Sequence, residues 1–218
     1  MFATHQKPRA DRLLLTIAVA AVIGGSLGAG SARAGRPDLV DPALMAPQLN
    51  PSFAPWTCWR AGDRITCEGS KTETYTGLEV DFLSCSAGPI YSQGTFTSTA
   101  RRVGDAEGRA LETSFRDRYE ETFSSDPTGV APTLRSIGRL QHTFSYGVAG
   151  DASTVSETLA GVGISVTGPG FGVVLHDVGT VAWDSGGEVL RFGGIHPPAF
   201  SQEEWQAAHD RICSFFES

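Results

Sequence analysis

Runs rich in Thr, Tyr, Phe and Val, cut again and again by short Gly- and Pro-containing turns, constrain this chain more than any other feature. "PIYSQGTFTSTARRV" ends at "GDAEG", "RALETSFRDRYEETF" at "SSDPTG" and "LRSIGRLQHTFSY" at "GVAGDA". "STVSETLAGVGISV" then ends at "TGPGFG", "VVLHDVGTVAW" ends at "DSGG", and "EVLRF" follows. Runs of this composition between such turns read as β-strands. Several are far longer than the roughly 5–6 residues usual for a strand. Long strands joined in sequence by short turns predict an all-β fold, an antiparallel up-and-down meander that is barrel-like.

The last segment has a different period. In "SQEEWQAAHDRICSFFES" the residues Trp205, Ala208, Ile212, Phe215 and Phe216 fall on one stripe at helical spacing. Ser201 with Glu204 three residues on forms a capping box. One C-terminal α-helix is expected over about 201–216, flanking or plugging the barrel.

Residues 1–34 read as an export signal. Lys7, Arg9 and Arg12 precede the apolar run "LLLTIAVAAVIGG", and Ala32 and Ala34 supply small residues before a cut. The run is too short and too Gly-rich for a membrane span, which needs about 20 apolar residues. The absence of an Arg-Arg pair before it favours the general secretory route, and no cysteine lies in it to carry a lipid. The expected destination is outside the cell. Residues 35–55 hold five prolines and little periodicity, and are expected to form a flexible leader that could act as a spacer. Residues 56–218 then make a single domain.

The whole chain carries 17 basic and 24 acidic residues, and residues 1–34 hold four of the former and one of the latter, so the remainder stands at −10. Such a balance steers the protein away from nucleic acid and anionic lipid. Two Lys against 15 Arg, and a single Asn, suggest GC-rich coding.

Four cysteines in an exported chain point to two disulfides. Three pairings are possible. "TCWRAGDRITC" reads as a hairpin turning at Gly62-Asp63, which sets Cys58 opposite Cys67; Cys85 is then left to tie an early strand to the helix through Cys213. No Cys-x-x-Cys or His-rich cluster suggests zinc, and no motif implies a cofactor.

Three catalytic-looking motifs do not hold up. Asp-Ser-Gly-Gly at 184–187 matches the core of the nucleophile loop in trypsin-like proteases, but it has Trp183 before it and Glu188 after it. The one segment resembling that family's histidine motif, "QAAHD", comes after the serine, which is the wrong order. Ser185 is therefore read as a turn residue between two paired strands. "GGSLG" (24–28) resembles an esterase elbow but lies in the signal. "GPGFG" (168–172) resembles a phosphate loop, yet no Lys follows it.

The period of two within strands gives a weaker clue. One face of "ALETSFRDRYEETF" carries Leu111, Thr113, Phe115, Asp117, Tyr119, Glu121 and Phe123. The next run sets Leu134, Leu140, His142, Phe144 and Tyr146 on one face, and Asp177 shares a face with Val173, Leu175, Val181 and Trp183. If these faces line the interior, Asp117, Tyr119, Glu121, His142, Tyr146 and Asp177 are candidate ligand-binding residues, because buried polar groups need partners. The bland reading is an internal network whose members satisfy one another. On the outer face, Arg116, Arg118, Arg135 and Arg139 are expected to meet Glu112 and Glu120 as cross-strand charge pairs.

The segment from Cys85 onward resembles a group of exported actinobacterial proteins of unknown function. The likeness is carried by "HTFSY", by "GPGFGVVLHDVGTVAWDSGGEVL" and by the late cysteine on a short helix. In outline such proteins are similar to calycin-like or allene-oxide-cyclase-like barrels. That resemblance implies a fold and no chemistry.

Three functions follow as expectations. The first is a non-catalytic barrel that binds a small, mostly apolar molecule. The second is an enzyme of the cyclase or isomerase kind, in which His142 would work with Glu121 or Asp117. The third is a structural or surface-interaction module with no internal site. Nothing in the sequence requires catalysis, so ligand binding is preferred.

Overall fold

The computed structural model describes residues 38–130, 132–195 and 202–217. The expected signal (1–34), Ser201 of the expected helix cap and the side chains of Glu204 and Trp205 fall outside the described residues.

Nine strands follow one another: β1 (Asp38–Val40), β2 (Thr57–Ala61), β3 (Arg64–Cys85), β4 (Gly88–Gly104), β5 (Ala110–Ser124), β6 (Thr133–Tyr146), β7 (Val155–Gly168), β8 (Gly172–Trp183) and β9 (Val189–Ile195). One helix, α1 (Gln202–Phe216), comes after them. Each strand pairs antiparallel with its neighbour in sequence, in the order β1 to β9. The fold is the expected all-β meander with a C-terminal helix. Among the described residues β1 pairs only with β2 and β9 only with β8, so the wall is barrel-like without closing. No helix among the described residues is long and apolar enough to cross a membrane.

The helix explains why the sheet curls. Its apolar stripe, with Ala208, Ile212 and Phe215 buried, packs at one end of the wall. There it meets Leu83 of β3, Ile90 of β4, Phe123 of β5, Leu134 of β6, Val166 of β7 and Leu175 of β8 in one cluster. Strands β3 and β8, at the two sides of this cluster, both contact α1, which requires the sheet between them to bend around the helix. Cys85–Cys213 fixes that contact, and Cys58–Cys67 staples the β2–β3 hairpin at the register pair Cys58↔Cys67. Both pairings are those expected.

Alternation holds along most strands. In β6, Leu134, Ser136 and Gly138 are buried between exposed Arg135, Ile137 and Arg139. It fails at the start of β8, where Val173 is 54% exposed while Val174 and Leu175 are both buried. The β7–β8 register shifts between Val166 and Thr167, and a bulge turns the next side chain to the other face.

Asp-Ser-Gly-Gly forms the β8–β9 turn. The Asp184 carboxylate accepts the Gly186 N–H at 2.9 Å and the Glu188 N–H at 2.8 Å, and the Asp184 N–H donates to the Glu188 carbonyl at 2.9 Å. Ser185 is an exposed turn residue.

The leader is not a flexible tether over its described part. Met45, Leu49 and Phe53 are buried at 3%, 6% and 5% exposure. Met45 and Leu49 join Cys58, Ile65 and Cys67 in a second core at the opposite end of the wall from α1. The Ala46 N–H donates to the Gly108 carbonyl at 2.9 Å, the Ala46 carbonyl accepts the Ala110 N–H at 2.8 Å, and Arg102 donates to the Pro47 carbonyl at 2.6 Å. The prolines that suggested disorder instead open two 3-10 turns, at Pro42–Leu44 and Pro51–Phe53, capped by Asp41 and Asn50.

Candidate functional site

The inner face of the curled sheet carries a row of polar side chains between its two apolar ends. At the centre lies a cavity of about 500 Å³. Tyr75, Tyr119 and Glu121 give it polar lining groups, Leu78, Val80, Phe96, Phe123 and Ile164 its apolar ones, and Glu73 and Glu79 also border it.

Two tyrosines organise this region, each reaching across a strand at a glycine. Tyr75, Gly94 and Glu121 stand side by side on β3, β4 and β5. The Tyr75 hydroxyl donates to the Glu121 carboxylate at 2.8 Å. A β-carbon at Gly94 would run into Glu121 itself. In the same way Tyr119 of β5 stands opposite Gly138 of β6, and its hydroxyl donates to the Gly163 carbonyl of β7. The result is a rigid polar band spanning β3 to β7.

Burial sets the protonation of this band. It lifts the Glu121 carboxyl above the usual carboxylate range, against the pull of the Tyr75 hydroxyl that donates to it. It also lifts the Tyr75 and Tyr119 phenols well above the usual phenol range, with the charge of Glu121 acting in the same direction. Asp177 adds to the effect on Tyr119. Both tyrosines therefore stay neutral donors at any physiological pH. Lys71, near the cavity, donates to Glu73 at 2.9 Å, and its ammonium lies 5.1 Å from the Phe96 ring centre.

The six residues singled out from sequence fall into separate places. Tyr119 and Glu121 line the cavity, and Asp177 stands opposite Ile164, within electrostatic reach of Tyr119. His142 lies elsewhere. It stands opposite Phe115 while Glu121 stands opposite Ser136, six residues along β5, or about 20 Å. The His142 partner is Glu157 of β7, at 2.6 Å between Nε2 and Oε1. Its ring centre is 4.2 Å from that of Phe144, and Phe144 in turn packs edge-on to Phe115. The expected pairing of His142 with Glu121 or Asp117 is not assembled. Asp117, between Ser98 and Leu140, separates the two regions, and Tyr146 lies beyond Phe144 near the end of β6.

Tyr75, Phe96 and Glu157 are the participants that sequence reasoning missed. The alternation Lys71, Glu73, Tyr75 was the available signal for the first, and Glu157 shares the Val155/Leu159 face of its strand.

The fold and cavity define a class: a disulfide-tied, barrel-like antiparallel meander with a polar band across an apolar pocket. No family model matches the chain, and no curated protein or solved structure is significantly similar to it.

Proposed function

We propose that this chain is an exported, non-catalytic binding protein that holds a small, mostly apolar molecule against the Tyr75–Glu121–Tyr119 band. The observation that carries the reading is the cavity of about 500 Å³, which falls within the range of small-molecule sites. Its mixture of aromatic and aliphatic lining with a few fixed polar groups suits a ligand with an apolar body and one hydrogen-bonding group. Export rests on the signal-like residues 1–34 and agrees with two disulfides, which persist in oxidising compartments. The likeness to exported actinobacterial barrel proteins agrees with the antiparallel, barrel-like outline.

Native mass spectrometry of the secreted protein, followed by a lipophile panel read by melting-temperature shift, tests the proposal. A bound mass or a saturable shift is expected, and Ile164→Phe, which fills the pocket, should abolish it. Wild-type protein that takes up nothing across the panel would overturn it.

The second reading, a cyclase- or isomerase-like enzyme, draws on the 2.6 Å contact between His142 and Glu157, the geometry of a histidine oriented by a carboxylate. His142→Gln should then abolish conversion of a bound lipophile without lowering stability. Loss of stability with no conversion to lose would identify His142 as part of the aromatic packing around Phe144.

A further inference from the structure

The outer wall departs from the expected pattern of alternating charges. Arg135 does pair with Glu120, at 2.6 Å. Arg118, however, stands directly opposite Arg139 in the β5–β6 ladder, and Arg116 on the same face stands opposite Gln141. All three arginines are exposed, and none forms an ion pair or hydrogen bond with a carboxylate among the described residues. The acid nearest to them on this face, Glu120, is already engaged. Like charges directly opposite one another destabilise a sheet, so this arrangement works against the fold in a chain whose net charge is −7. An open depression of about 600 Å³ is bordered by the three arginines and by Asp117, Leu140, Gln141, Ala160 and Gly161.

The neighbouring strand supplies a second chemistry. Thr95, Thr97 and Thr99 of β4 are in register with Glu120, Arg118 and Arg116. Thr95 and Thr99 are exposed while the alternating Ser98 and Ala100 are buried, so the hydroxyl row faces outward beside the guanidinium row. Strand spacing places Arg118 and Arg139 about 5 Å apart and Arg116 and Arg118 about 7 Å apart at their backbones. Guanidinium forks grip carboxylates and sulfates bidentately.

We propose that this outer wall binds an acidic polysaccharide, with its carboxylate or sulfate groups seated among Arg116, Arg118 and Arg139 and its sugar hydroxyls on the Thr95–Thr97–Thr99 row. The chemistry of the patch favours this partner over others. A membrane surface would leave the Thr95–Thr97–Thr99 row unused, and Ile137 beside Arg139, at 38% exposure, makes only a small apolar anchor. An acidic peptide would find neither an aromatic pocket nor a free strand edge at the middle of the wall. A polyhydroxylated anion uses both rows.

The test immobilises polygalacturonate and heparin, with dextran and polyacrylate as the uncharged and the hydroxyl-free comparison. Wild-type protein should bind both acidic polysaccharides and not dextran. Arg118→Gln/Arg139→Gln should bind at least about tenfold more weakly, while its melting temperature stays level or rises because the repulsion is gone. Arg135→Gln, already paired with Glu120, should stay within about twofold of wild type. Thr97→Val, which keeps shape and strand propensity, should weaken polysaccharide binding and leave polyacrylate binding unchanged. Should the double variant fail to fold, Arg116→Gln and Arg139→Gln singly should each give a partial loss. The proposal is overturned if wild type binds neither acidic polysaccharide, if the arginine variants bind as well as wild type, or if polyacrylate or anionic vesicles are bound as tightly as the polysaccharides.

Discussion

The phenol ring of Tyr119 lies over Gly138 of the neighbouring strand, where any β-carbon would overlap the ring, and its hydroxyl reaches past that strand to the Gly163 carbonyl. A side chain from β5 is thereby bonded to β7, and the pleat between them is locked. Gly138→Ala should cost about 1–3 kcal/mol of stability by forcing the ring aside. Tyr119→Phe should cost about 1 kcal/mol, the worth of a hydrogen bond. Combining Gly138→Ala with Tyr119→Ala should cost less than the sum of the two, because the second change removes the clash created by the first. Additive losses in denaturant melts would show that the ring does not lie where described.

Glu121 gives the protein a specific pH response. Its folded-state pKa is raised by burial. The folded chain holds that proton more tightly than the unfolded one, so the stabilising contribution is complete below the ordinary carboxylate pKa and is lost as pH rises through the raised value. Glu121→Gln stays neutral throughout. Relative to wild type, this variant should therefore gain in melting temperature as pH rises from about 4, the ordinary carboxylate range. A difference that is flat with pH would contradict the assignment.

The tyrosines offer an independent reading of the same region. The chain has four, and the pKa values of Tyr75 and Tyr119 are raised beyond the usual phenol range. The sign matches that of Glu121: the stability they contribute is complete below the ordinary phenol range and is lost as pH rises from that range through the raised values. Ultraviolet titration should show a fraction of the phenolate signal delayed until alkaline unfolding. Tyr75→Phe and Tyr119→Phe should each remove part of that delayed fraction. Four phenols ionising together would refute it.

The two disulfides should differ in worth. Cys85–Cys213 spans 128 residues and Cys58–Cys67 spans nine. On loop entropy, replacing the first pair by serine should cost about 5 kcal/mol and replacing the second about 3 kcal/mol. Chemical denaturation of the two double variants checks the order, and a greater loss for Cys58/Cys67 would reverse the argument.

Removing residues 38–55 should lower the melting temperature sharply, because β1 goes with them and so do the buried Met45, Leu49 and Phe53. Met45→Ala alone should cost about 2–5 kcal/mol. A truncated protein melting within a few degrees of the parent would mean that the leader contributes nothing to the second core.

Strands β4 to β8 and their turns were legible because Gly, Pro and Asp punctuate long alternating runs, and the hairpin around Gly62-Asp63 exposed the first disulfide. The leader misled because prolines lack donors and break periodicity. Yet Met45, Leu49 and Phe53 recur every four residues, and it is these side chains that anchor the segment. Within the site, alternation correctly placed Tyr119 and Glu121 on one inward face. It could not say that His142 would meet Glu157 instead of Glu121, since that depends on the register between strands. Nor could composition reveal Arg118 opposite Arg139, because charges that average out along a sequence need not alternate across a ladder.

Pairing every strand with its neighbour in sequence leaves almost no distant contact to find while the wall is being made. The hairpins can zip one after another as the chain emerges, and the nine-residue Cys58–Cys67 ring can close early. The helix is the exception. Its bridge to Cys85 joins positions 128 residues apart, a closure whose entropy is paid in a single late step. Until α1 docks, Ile90, Phe123 and Leu134 form an uncovered greasy end on an otherwise finished wall. Until that docking the chain is most open to proteases and to its own copies, and the Cys85–Cys213 bridge is what makes the covered state lasting.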